Sequence, residues 1–141
     1  MNPRGWLVPL VVVASVLLVG CEETQPESAD EPAQVVPIKG SDVPKVVLTA
    51  QAAQRIGLQT ATVELAETGT AVPLAAVVYA RDGSTWVYTV AARLTYVRKR
   101  VTLAGADGDV ALLQVGPPAG TEVVTVGAAE LLGSEYGVDG E

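Results

Sequence analysis

Apolar and polar positions divide the chain into three unequal stretches. Residues 6–19 are almost unbroken hydrocarbon, interrupted only by Pro9 and Ser15. Residues 22–45 are polar and punctuated by Pro26, Pro32, Pro37 and Pro44. From residue 46 the pattern changes to short apolar runs, several with period two, the mark of half-buried strands. Residues 46–48 predict a first short strand. Thr49 then stands where a helix N-cap belongs, residues 50–55 favour helix, and Gly57 stands where a helix stop is expected. Residues 58–65 alternate again, predicting a strand whose even positions are polar after Leu58.

A short connection over 66–71 leads into a meander of strands at 74–79, 85–90, 95–103, 110–115 and 122–126. Asp82 with Gly83, and Asp107 with Gly108, supply the hairpin turns. Gly116, Pro117, Pro118 and Gly120 make a rigid loop, and residues 127–136 close the folded part. In the run 95–103, Val97, Val101 and Leu103 share one face, while Tyr96, Arg98, Arg100 and Thr102 share the other. About six short strands predict a mainly β domain over 46–137. Its expected form is a small antiparallel sandwich or partly open barrel with one short helix near its start. Residues 138–141 are an acidic tail.

Composition narrows the chemistry. Hydrophobic residues make up 49% of the chain, too many for disorder throughout. They are Val, Ala and Leu, with no Phe, which suits a sheet packed with β-branched side chains. A net charge of −7 argues against nucleic-acid binding, which needs a basic stripe. There is no histidine, one cysteine, and Met1 is the one methionine. With no histidine base, no nucleophile motif and no phosphate-binding glycine loop, an enzyme is not expected, nor a metal or other bound cofactor.

The N-terminus gives the cysteine a use. Arg4 followed by the apolar run reads as a secretory signal over residues 1–20. Leu18, Val19, Gly20 and Cys21 resemble the lipobox of bacterial lipoproteins. That resemblance implies cleavage between Gly20 and Cys21, with diacylglycerol and an N-acyl chain on Cys21. Fourteen residues of helix reach only about 21 Å, short of a ~30 Å hydrocarbon core, so an uncleaved anchor is the weaker reading. Residues 21–45 then form an extended acidic, Pro-rich tether from the lipidated cysteine, with six acids against two lysines. The expected location is the extracytoplasmic side of a cell membrane.

Two further segments carry a second resemblance. The first runs through Val47, Leu48 and Thr49 to Arg55, Ile56, Gly57, Leu58 and on to Glu64. The second runs from Val72 and Pro73 through Ala76, Val77, Trp86, Val87 and Tyr88 to Val101, Thr102 and Leu103. It ends through Gly120, Thr121, Glu122, Val123 and Val124 to Gly127 and Ala128. Both are similar to periplasmic adaptor subunits (membrane fusion proteins) of resistance-nodulation-division efflux pumps. In that family the first segment opens the membrane-proximal domain and the second completes it, after a long excursion through other domains. Here only residues 66–71 separate them. In the loop from Gly116 to Gly120, Pro117 and Pro118 also depart from the family's pattern.

What the resemblance implies is a lipid-anchored adaptor-like subunit that binds an integral-membrane export transporter. It lacks the hairpin and lipoyl-like insert of full adaptors. A stand-alone envelope lipoprotein and a deletion remnant of a full adaptor are the alternatives, and self-association stays open. Metal-handling adaptors bind soft ions through methionines, which this chain lacks after its signal.

Arg98, Lys99 and Arg100, with Arg93 nearby, form the one basic cluster. Arg98, Arg100 and Tyr96 on one face could contact an acidic partner or anionic headgroups. A solvated sheet face that discourages edge pairing explains the same residues. Trp86 and Tyr88 read as packing residues, and Asp82, Asp107 and Asp109 as turn residues.

Overall fold

Val63 is where the fold turns its corner. The computed structural model describes residues 31–137, so the signal, the Gly20–Cys21 junction, most of the tether and the acidic tail lie outside the described residues. Among the described residues ten strands form one antiparallel, nearly closed barrel-like sheet. It is made of a first sheet from residues 33–36, 45–48, 59–62, 78–79, 85–101 and 122–126 and a second from residues 64–73 and 102–115. The mainly β, partly open barrel expected from the pattern is what the chain adopts.

The first strand arises earlier than the polar composition suggested. Strand β1 (Ala33–Val36) pairs with β2 (Lys45–Leu48), Ala33 opposite Leu48 and Val36 opposite Lys45. Part of the expected tether is therefore folded. Pro32 and Pro37 flank β1 rather than interrupt it, so their missing N–H groups cost no ladder bond. The Pro32 carbonyl instead accepts from Thr49 N–H at 3.1 Å.

Helix α1 (Ala50–Arg55) forms where expected. Thr49 Oγ1 accepts from Ala52 N–H at 3.1 Å, and Gly57 supplies the left-handed φ of 63° after the last turn. The alternating run that follows is two strands rather than one. Strand β3 (Gln59–Thr62) pairs with β10 (Glu122–Val126), and β4 (Glu64–Leu65) pairs with β5 (Thr70–Pro73). Val63 between them is buried. Its N–H donates to Thr121 O and its carbonyl accepts from Gly120 N–H, both at 2.8 Å. Half of the run thus belongs to one sheet and half to the other.

The expected strand over 74–79 is a correction as well. Residues 70–73 take the strand role, Leu74–Ala76 is a 3-10 turn, and β6 (Val78–Tyr79) is two residues long. Pro73 has no N–H with which to extend β5. The run 58–65 therefore meets 70–71 through β4 and not residues 74–79. Then β7 (Thr85–Ala92), β8 (Thr95–Asp107) and β9 (Val110–Val115) form the meander that the turn residues predicted. The 13-residue β8 bends through both sheets: residues 95–101 pair with β7 and residues 102–107 with β9.

A second helix closes the domain where no helix was expected. Helix α2 (Ala128–Glu135) starts from Gly127 at φ 97° and packs on β1, β2, β6, β7 and β10. Ala128, Leu131 and Leu132 are its buried residues, at helical spacing. The φ of Gly127 is what favours glycine there, since a Cβ would otherwise meet only the movable tip of Ile56, Cδ1 at 2.9 Å.

Two cores result. One lies between the first sheet and the helices and holds Val46, Leu48, Tyr88, Tyr96, Val124, Leu131 and Leu132. The other fills the barrel interior with Val63, Val72, Ala76, Val87, Val101, Ala111, Leu113 and Val123. Strand β7 serves both, because Tyr88 faces the helices and Val87 faces the barrel interior.

Candidate functional site

Three of the residues singled out from the sequence sit together on one face of β8. Antiparallel register places Trp86 opposite Arg100, Tyr88 opposite Arg98 and Val90 opposite Tyr96. That face looks toward α2, so it is not the open surface that the alternation alone suggested. Tyr96 is 4% exposed and belongs to the core under the helices. Arg98 Nε donates to Glu135 Oε2 at 2.8 Å, and Tyr88 Oη donates to Glu135 Oε1 at 2.6 Å. The Glu135 side chain is only 2% exposed and the Arg98 side chain 14%.

The arrangement locks a helix to a sheet. One carboxylate from the last turn of α2 takes a charge-assisted bond from β8 and a hydroxyl bond from β7, so both its oxygens are occupied. The Arg98 guanidinium lies 4.3 Å from the centre of the Trp86 ring, and that of Arg100 5.8 Å. Trp86 Nε1 donates to Ser84 Oγ at 2.7 Å, and Ser84 Oγ donates to Asp82 Oδ1. Burial raises the Tyr88 pKa well above that of a free tyrosine, and its bond to Glu135 adds to the effect. Burial raises Tyr96 too. Hydrogen bonds from the Ser84 hydroxyl and backbone N–H hold Asp82 below the usual aspartate value. The contact reading therefore loses Tyr96 and Arg98, which are occupied internally. Arg100 keeps an exposed position, beside Lys99.

Those two cations border a shallow cleft of about 380 Å³ at one end of the barrel, with Thr89, Thr121, Pro117 and Pro118. A second cleft, of about 360 Å³, opens at the seam where β3 and β5 diverge from the corner at Val63. Ala61, Thr62, Glu64, Ala71, Pro73 and Val110 line it. Among the described residues no group of three or more His, Cys, Asp or Glu side chains could hold a metal ion, and no helix is long and apolar enough to cross a membrane.

Charge is divided between the two sheets. Of the nine Lys and Arg residues, Arg4 lies outside the described residues. The other eight all fall on the first sheet, its helices or its loops. The second sheet with its turns, residues 64–76 and 102–120, carries Glu64, Glu67, Asp107 and Asp109 and no cation. Glu135 is the partner of Arg98 that the sequence did not reveal, because nothing near it in the chain marks it as Arg98's neighbour.

A scan against protein-family models, a search of curated proteins and a search of solved structures found no match to this chain.

Proposed function

We propose that this protein is a lipid-anchored, extracytoplasmic adaptor-like subunit that binds a membrane export transporter. The observation that carries the reading is the pairing of the two adaptor-like segments. Strand β3 of the first lies directly against β10 of the second, with Thr60 opposite Val124, Ala61 opposite Val123 and Thr62 opposite Glu122. In the family that the segments resemble, a long excursion would leave between them. Here that position is the turn of residues 66–69, closed by the Ala66 N–H to Gly69 O bond. A Cβ at Gly69 would collide with the Leu113 carbonyl, so the turn is pressed against β9.

The early start of β1 tightens the anchoring part of this reading. Between Cys21 and Ala33 the chain spans at most about 40 Å, taking ~3.3 Å per residue. A binding domain on so short a lead stays near the bilayer, where an integral-membrane partner is found. Affinity capture of the tagged, membrane-extracted lipoprotein is expected to recover a subunit of an export transporter. Recovery of the lipoprotein with no such subunit would contradict the transport role.

The closed turn at 66–69 also favours a second reading, a stand-alone envelope lipoprotein whose domain needs no insert. The two differ in genome context: a permease encoded beside the gene favours the first.

A further inference from the structure

The two sheets treat their outward faces differently. The first sheet is covered by α2, which packs on β1, β2, β6, β7 and β10. On the second sheet Val72, Ala111 and Leu113 point into the barrel, so the alternating positions Ala71, Pro73, Val110 and Leu112 point outward. An antiparallel sheet with one wet face is ordinarily polar on that face. Here that face is apolar at its centre, where Ala71, Pro73, Leu112 and the 40% exposed Val110 stand, with Glu64 opposite Ala71 and Asp107 opposite Val110 at its margins. Gly105, paired with Leu112, has nothing within 4 Å of where a Cβ would stand. Among the described residues nothing covers this face.

We infer that the outward face of the second sheet, with the seam cleft beside it, is the docking surface for a protein partner presenting an apolar centre framed by Lys and Arg. Charge decides the occupant. Glu64 lines the cleft, and Asp107 and Asp109 stand at the β8–β9 turn beside Val110, while this sheet carries no cation of its own. An interface with an apolar core and a rim of one sign selects a partner with the opposite rim. Anionic headgroups and acidic peptides are disfavoured by the same acids. Pro73 denies the β5 edge a donor, so the partner docks through side chains and does not add a continuous strand. The inference concerns a surface and a partner chemistry, and does not require that the partner be a transporter.

The test places a photoreactive residue at Ala71 or Val110 of the full-length lipoprotein in its own membrane, with Gln51 on α1 as control. Cross-linked peptides are then identified by mass spectrometry. Positions 71 and 110 are expected to capture a partner peptide bearing Lys or Arg beside apolar residues, with little capture from position 51. Combining Glu64→Lys with Asp109→Lys should reduce the yield at least about tenfold, as the charge-paired rim is reversed. Should that variant fail to fold, raising salt to about 0.5 M in the wild type should cut the yield by screening. The inference is overturned by cross-links to lipid, to a second copy of the chain or to a neutral or acidic peptide. It is equally overturned by no cross-link, by equal capture from position 51, or by yields indifferent to both charge reversal and salt. A cationic partner that is no transporter keeps this surface and removes the transport reading. A transporter captured through the helix face does the reverse.

Discussion

The core beneath the helices and the core inside the barrel solve different problems. The barrel interior is aliphatic, and its walls are joined covalently at the Val63 corner and through the bend of β8. Small β-branched side chains suffice there because the backbone already fixes the geometry. The other core must hold α2, a helix of eight residues, in one position on a sheet. Apolar contact alone is non-directional and tolerates sliding. Tyr88, Tyr96 and the bonded pair of Arg98 and Glu135 give that contact a register. The lesson is that charge is buried where docking must be specific, and omitted where chain connectivity supplies the specificity.

Breaking the pair is the harshest test of that contrast. Arg98→Ala leaves the Glu135 carboxylate buried beside Tyr88 alone, and should cost about 3–5 kcal/mol in urea unfolding. Amides of α2 should lose hydrogen-exchange protection first. Replacing both partners, Arg98→Met with Glu135→Leu, should recover most of that loss, since no buried charge is then left unpaired. In the barrel interior Leu113→Ala should cost about 3 kcal/mol by leaving a cavity. Its effect should spread over both sheets rather than isolate α2, which separates the two cores by experiment.

Alkaline pH should act on the helix-covered core alone. Tyr88 and Tyr96 are raised in the folded state above the free value of 10.0. Above that value the unfolded chain loses the phenolic protons while the folded chain keeps them, so stability is intact below pH 10 and falls as pH rises. The slope can reach about 1.4 kcal/mol per pH unit for Tyr88. Tyr88→Phe should shallow it in melts run between pH 9 and about 12. The smallest effect belongs to neither core's packing: Thr49→Ala removes the α1 cap and should cost about 1 kcal/mol by thermal melting.

Much of the barrel was legible because alternation and turn chemistry are local. The meander of β7, β8 and β9 follows from the Asp-Gly turns and period-two runs, and α1 from its cap and stop. What escaped was settled by distant partners. Strand β1 was masked by flanking prolines and acids, and its status depends on β2. The split at Val63 depends on its N–H donating to Thr121 O and its carbonyl accepting from Gly120 N–H, more than fifty positions away. Helix α2 reads weakly, with Gly133 and Ser134 inside it, and is held by Tyr88 and Arg98 on the sheet. For the same reason the face shared by Tyr96, Arg98 and Arg100 was identified correctly, but not what lies against it.

The proposed function begins from a domain held near a bilayer, so intact mass spectrometry of the membrane-extracted chain tests it most directly. The expected species starts at Cys21 and is heavier by a diacylglyceryl group and an N-acyl chain, with an unprocessed precursor for Cys21→Ala. A mature chain with a free thiol at Cys21, or one still beginning at Met1, would contradict it.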